Sequence, residues 1–249
     1  DPKIKKIYIA SNHSSHAEYA IKAIESQKAV HIEKPHVINK DQLERLISAY
    51  KKNPNSKVYL GFNRPESKLF KDLKNYVDAE SGSISISWFI AGHKIEPNHW
   101  YYDESEGGRI LGNLCHWTDL SLRLVGLEKA FPIVVSTLNP KDSDSNFSIS
   151  ILFGDKSLAS ISFSCKGHTF EGVREYLNIH KGDLLASLRD FKDLRLDKGS
   201  KRIFKNLLFR DHGHKAALRK LVLDEKPESL KMIIETARLF LAVKDSVDN

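Results

Sequence analysis

The strongest constraint on the fold is an alternation of strand-like and helix-like periods between Ile7 and Phe62. The apolar run Ile7-Tyr8-Ile9-Ala10 is followed by the polar loop Ser11-Asn12-His13-Ser14-Ser15. A helix is predicted over 16–26, because Ala17, Ala20, Ile21 and Ile24 recur at i, i+3, i+4 and i+7. Ser14 or Ser15 is its expected N-cap. Ala29-Val30-His31-Ile32 reads as the next strand, ended by Glu33-Lys34-Pro35. Asn39 with Gln42 three residues on forms a capping-box pattern that opens a helix through Leu43, Leu46, Ile47 and Tyr50. Lys57 to Phe62 is the third strand. Such a β-α-β-α-β order predicts a parallel sheet with right-handed crossovers.

After Arg64-Pro65 the pattern changes, and the domain boundary is placed there: 1–64 and 65–249. Ser83 to Ile90 alternates at period two. Glu106-Gly107-Gly108 breaks the chain, and a helix is predicted over 110–124, stopping at Gly126. Strands follow at 133–136, 147–153 and 158–165, the last two joined by the turn Gly154-Asp155-Lys156 as a hairpin. Further strands are expected at 175–180, 184–188 and 191–196, and helices at 214–222 and 228–243. The fold class expected is therefore α/β followed by α+β, the second part built on a mostly antiparallel open sheet.

Composition narrows the function classes. With 41% hydrophobic and 29% charged residues in 249, the chain is neither disordered nor fibrous. No apolar run approaches the ~18 residues of a membrane span, so no membrane partner is expected. The opening DPKIKKIYIAS lacks a secretory pattern. The two cysteines, Cys115 and Cys165, cannot form a disulfide framework, and a cytoplasmic location is expected. A net charge of +7 permits anionic partners without selecting one. The basic stretch 198–220 is interrupted by Asp211 and by apolar residues and carries no stacking module, so it reads as a solvated face and no nucleic-acid partner is expected. His93, His99 and His116, or His13 and His16, can be assembled into a ligand set, but without Cys-x-x-Cys or His-Glu-x-x-His no metal is expected. G-x-S-x-G is also missing, which removes support for a serine nucleophile.

Four strings occur in order: SNHSSHAEYAIKAIESQKAVHIEKP, GFNRPESKL, HWYYDESEGGRILGNLCHWTDLSLRLVG and DHGHKAALRKLV. Together they resemble the glucose-fructose oxidoreductase / inositol dehydrogenase / rhizopine-catabolism (Gfo/Idh/MocA) family of NAD(P)-dependent sugar and polyol dehydrogenases, over essentially the whole chain. The resemblance implies a Rossmann-like parallel sheet. Members of that family begin with a glycine-rich strand-turn-helix that holds the dinucleotide pyrophosphate. None of the 13 glycines forms G-x-G-x-x-G; Gly107, Gly108 and Gly112 come nearest, with Arg109 at a required glycine position. The run Lys5 to Ala10 matches about the fourth strand of the family. The expectation is a C-terminal half of the Rossmann domain in a chain that opens on Asp1, with the N-terminal half outside this sequence.

Oxidising an alcohol needs a hydride acceptor and a base, and a histidine titrating near pH ~6.5 suits the second task. Lys34 lies just past the carboxyl end of a strand, where open α/β sheets bind ligands. The resemblance implies that Lys34 binds the substrate hydroxyl and assists proton transfer, and that His116 is the acid/base. Many members carry an aspartate four residues before this histidine; here that position is Gly112, with the non-ionising Asn113 beside it. Asp119, one turn after His116, reads as a structural partner. Ser11, Asn12, His13 and His16 are expected to line the nicotinamide side, with Glu33 holding Lys34 or a ribose. On the substrate side are Asn63, Arg64, Arg109 and Asn113; His99 and Trp100 are weaker candidates, Trp100 as core or rim packing. His212 and His214 are expected to cap or pack near the last helices.

Two functions follow from the resemblance. One is an NAD- or NADP-dependent dehydrogenase of a sugar, polyol or nucleotide-linked sugar, forming a homo-oligomer through the antiparallel sheet. The other is a catalytically silent, dimerising binding or assembly module derived from the family.

Overall fold

A computed structural model describes residues 1–96, 98–138, 146–165 and 172–248. The chain divides into two units. The first comprises residues 1–63, 98–119 and 214–244; the second comprises the described parts of 64–97, 120–213 and 245–249. The first unit also draws in a central segment and the tail helices, which sequence order alone does not announce.

In the first unit β1 (Lys6–Ile9), β2 (Ala29–Ile32) and β3 (Val58–Leu60) form a parallel sheet in that order, with β1 at one edge. They are linked by α1 (His13–Glu25) and α2 (Lys40–Lys52). One sheet face presents Ile9, Val30, Ile32, Val58 and Leu60 to a core shared with Ala17, Ala20 and Ile24 of α1 and Leu43 and Leu46 of α2. The other carries the row Tyr8, His31, Tyr59. The tyrosine hydroxyls there donate to the carbonyls of Leu218 and Glu225 at 2.8 and 2.7 Å. A parallel sheet needs both faces covered, which is why its strands read as continuous apolar runs.

Two helix starts differ from expectation. Helix α1 begins one turn early: Asn12 is its N-cap, and Ser14 and Ser15 lie inside the first turn. In α2 the Asn39 side chain accepts from Gln42 N at 2.8 Å, as the capping box requires, but Gln42 Oε1 accepts from Ile38 N rather than Asn39 N.

In the second unit α3 (Lys68–Asp78) was not foreseen, although its apolar positions Leu69, Phe70, Leu73 and Val77 carry helical spacing and Ser67 caps it. The large sheet comprises β4 (Ser85–Ala91), β5 (Val134–Leu138), β6 (Phe147–Leu152), β7 (Leu158–Ser164), β8 (Arg174–Lys181), β9 (Leu184–Arg189), β10 (Asp193–Lys198) and β11 (Lys201–Asn206). Their order is β11-β10-β9-β8-β4-β7-β6-β5, antiparallel except for the β4/β7 pair. The β6/β7 hairpin forms as predicted. Strand β11 was missed because its basic sequence KRIFKN is that of an edge, where lysine and arginine oppose further pairing. Phe191, expected to start β10, instead sits with Asp190 at φ 52° and 49° in the preceding turn.

The predicted helix 110–124 divides in two. Ile110–Leu114 is a π turn, and α4 (Cys115–Val125) follows. The tail forms α5 (His214–Val222) and α6 (Leu230–Asp248), and Ile233, Ala237 and Phe240 of α6 join the core of the first unit.

Candidate functional site

The carboxyl ends of β1 and β2 and the first turn of α1 gather most of the residues singled out in sequence. Asn12 caps α1 without a side-chain bond to it. The turn is instead held by Glu106, which the sequence did not flag. Its carboxylate accepts from Ser14 N at 2.9 Å, Ser14 Oγ at 2.8 Å and Asn12 Nδ2 at 3.4 Å. Burial works to raise the Glu106 pKa, but the amide and hydroxyl of Ser14, with Asn12, outweigh it and hold the carboxyl below its usual range. A carboxylate at this end of a helix also meets the positive end of the macrodipole.

His13 is buried, and desolvation pushes it down to about 4, with the charges of Lys34 and His16 adding to the effect against the Glu106 carbonyl. It is therefore neutral at pH 7, and its Nδ1 donates to Glu106 O at 3.0 Å. His16 is also buried; its Nδ1 lies 2.8 Å from Pro35 O and its Nε2 2.9 Å from Ser11 O. One ring thus ties the loop after β1 to the loop after β2.

Lys34 leaves the end of β2, and its Nζ donates to Gly112 O at 2.6 Å, inside the π turn. The same amine lies 6.0 Å from the centre of the Tyr101 ring. Glu33 accepts from Lys34 N at 3.3 Å, and its other oxygen is 3.5 Å from His31 Nε2. Burial alone would raise the Glu33 pKa; the hydrogen bond and charge of His31, with Lys34, bring it below the ordinary value. Gly61 makes this fold of the chain possible: a Cβ there would stand 2.7 Å from Glu33 Cα.

His116 is the second residue of α4, immediately beyond the π turn, buried with its ring 6.1 Å from that of Phe62. π turns recur at functional sites because they displace backbone groups from the regular ladder. Asn113 lies in the turn, Arg109 just before it, and Asn63 follows β3; Arg109 and Asn63 are buried. Asp119 is fully buried and accepts from Thr236 Oγ1 at 3.4 Å, a structural partnership.

Arg64, expected on the substrate side, pairs with a carboxylate. In the second unit its guanidinium grips the buried Glu175, with Nε at 2.6 Å and Nη2 at 3.1 Å from the two carboxylate oxygens. His212 stands 3.2 Å from the same carboxylate and packs on Phe191 rather than on a helix end. A buried carboxylate demands such partners, and Glu175 gave no sign in sequence of being one.

His99, Trp100 and Tyr101 form an aromatic cluster with His13. Trp100 stacks on His99 and meets His13 and Tyr101 edge-on, at 4.7 and 4.5 Å between ring centres. Trp100 is 39% exposed, so it is not core. Among the described residues no group of three or more His, Cys, Asp or Glu side chains is placed to hold a metal ion, and no helix is long and apolar enough to cross a membrane.

Residues 1–62 match the sequence profile of the GFO_IDH_MocA oxidoreductase family, described by its NAD-binding Rossmann fold. Over these residues the chain is similar to that family. An inositol 2-dehydrogenase of Salmonella paratyphi B is 27% identical over 126 residues, covering 42% of this chain and 37% of that protein. A myo-inositol 2-dehydrogenase of Thermotoga maritima is 29% identical over 130 residues, covering 51% and 38%. The chain thus matches little more than a third of the length of either relative. Among solved structures, the aldose-aldose oxidoreductase of Caulobacter crescentus complexed with glycerol superposes with a TM-score of 0.79 at 15% identity, covering 100% of this chain and 78% of that one. At that identity the likeness speaks for the fold.

The NAD-binding description of the matched profile implies a nicotinamide dinucleotide. Ser11 and Asn12 follow the carboxyl end of β1 and Glu33 and Lys34 that of β2, the end at which such sheets bind nucleotides. For the pyrophosphate these 249 residues offer no glycine-rich turn, and in the first turn of α1 the Ser14 N–H already serves Glu106.

Proposed function

We propose that this chain carries the proton-transfer and substrate-binding residues of an NAD(P)-dependent dehydrogenase of a sugar, polyol or nucleotide-linked sugar. One observation supports this reading above the others. The Lys34 amine is anchored on Gly112 O, four residues before His116, at the ligand-binding end of a parallel sheet whose residues match an oxidoreductase family profile. When bound, the nicotinamide supplies the hydride acceptor. Lys34 donates to the hydroxyl oxygen of the substrate and stabilises the negative charge that develops there. His116 accepts the hydroxyl proton. Ser11, Asn12, His13, His16 and Glu33 face the cofactor rim; Asn63, Arg109 and Asn113 serve the substrate, and Arg64 acts through its hold on Glu175.

The test is turnover by the whole chain with oxidised NAD or NADP and a panel of sugars and polyols. Lys34→Ala and His116→Ala are each expected to lower kcat by about two to four orders of magnitude. Near-wild-type turnover in both variants would remove the assignment.

A second reading is a silent module that dimerises. The open face of the large sheet supports pairing of two copies: Leu185, Leu158, Leu152 and Val134 lie in one cross-strand row with His180 and Ser85 and are exposed, and Phe89, also exposed, lies two rows further along the same face. Exposed apolar faces of this kind mark interfaces. Failure of either dinucleotide to bind at millimolar concentration, together with a dimer by light scattering, would favour this reading.

A further inference from the structure

Trp100 has the features of a binding platform. Of the three tryptophans, Trp88 and Trp117 are buried at 1% exposure, whereas Trp100 is 39% exposed. It is nevertheless held on several sides. His99 stacks on it at 25° and 5.6 Å, while His13 and Tyr101 meet it at 73° and 85°. His99 is itself fixed, since its Nδ1 accepts from Tyr101 N at 3.1 Å. The segment is clamped to α1 by the three hydrogen bonds of Glu106. Tyr101 then links Trp100 to the Lys34 amine. A large aromatic surface left in water yet locked in place is preorganised for a ligand.

We infer that Trp100 is a specificity-determining residue whose indole stacks on the C–H face of a six-membered, polyhydroxylated ring with its reacting hydroxyl at Lys34. This rests on the dehydrogenase reading, which puts the hydroxyl there. A cyclic polyol or pyranose has a nearly flat face of C–H groups the size of an aromatic ring, with hydroxyls at its rim. The face gains dispersion and desolvation energy on indole while the rim stays free for polar partners. An open-chain polyol exposes hydroxyls along its whole length and has no such face.

The experiment uses intrinsic fluorescence of the whole chain, with Trp100→Leu reporting the share of the two buried tryptophans. The probes are myo-inositol and methyl α-glucopyranoside against sorbitol, each with and without oxidised cofactor. A saturable blue shift with the ring compounds is expected, at least about tenfold weaker with sorbitol and abolished by Trp100→Leu. In turnover, Trp100→Leu should raise KM for a ring substrate about tenfold with little change in kcat, and Trp100→Phe should restore most of it. The inference is overturned by an equal response to sorbitol, by no response to either ring compound, by a response that survives Trp100→Leu, or by a response to cofactor alone. If the wild-type chain oxidises none of the panel, the dehydrogenase reading fails, and the fluorescence titration still decides the stacking.

Discussion

Lys34 Nζ and Gly112 O are 2.6 Å apart, which joins the end of strand β2 to the turn that precedes His116. The two residues are 78 positions apart in the chain. A Cβ on Gly112 would meet the Tyr101 ring at 3.0 Å and His13 at 3.1 Å, so the bare backbone lets the aromatic pair close over the turn. A backbone carbonyl holds the amine. The anchored end restricts the lysine to a few rotamers, which lowers the entropy lost on meeting a substrate.

Gly61→Ala tests how that strand end is packed. The new methyl would stand 2.7 Å from Glu33 Cα, and backbone cannot swing aside as a side chain can. The variant is expected to lose about 1–3 kcal/mol. A urea midpoint equal to wild type would show that the close approach is absent.

Glu106→Ala removes the carboxylate that caps α1. The loss expected is about 1–2 kcal/mol, as for other N-terminal caps, and Glu106→Gln should lose less because one oxygen still accepts. Thermal unfolding of both variants, with amide exchange at Ser14, measures it. Unchanged protection at Ser14 in the alanine variant would contradict the cap.

Two buried histidines should make the fold acid-sensitive. Desolvation pushes His36 and His13 down from 6.5 to about 4, and His36 keeps a hydrogen bond to Ile233 O at 2.9 Å. In the unfolded chain both take up a proton near the ordinary value, whereas the native state resists until about 4. Their contribution is therefore complete above 6.5 and is lost as the pH falls from there toward 4. Each proton adds a slope of about 1.4 kcal/mol per pH unit within that window. Chemical denaturation across this range checks the slope, and His36→Gln should remove about one proton from it. An unaltered slope in that variant would refute the assignment.

Glu175 acts in a lower window. Burial would raise its pKa, but Arg64 and His212 bring it down to about 2. The stability from this group is present above about 4.5 and disappears as the pH falls toward 2. Glu175→Ala leaves the arginine without its carboxylate and should lose about 3–5 kcal/mol at pH 7. A loss below about 1 kcal/mol, the ordinary value for a surface pair, would mean that the pair is solvated.

The parallel β-α-β-α-β order, the Asn39 cap and the placing of Lys34 past a strand were legible in the residues, because each depends on periods and spacings of a few positions. The resemblance supplied His116. Helix α3 had a readable pattern in Leu69, Phe70, Leu73 and Val77, yet it falls in the stretch where strand signals begin. Other features had no local signal. The π turn is invisible to a 3.6-residue count, since Ile110 to Leu114 reads as ordinary helix. Glu106 looks like any acidic residue before a glycine pair until Ser14, 92 positions away, is brought against it. Arg64 reads as a cation at a strand end until Glu175, 111 positions on, claims it. Local sequence determined which elements form, because backbone propensity and amphipathic period act over one or two turns. Tertiary structure decided which polar groups meet, because burying a charge or an amide obliges it to find a partner wherever the fold brings one.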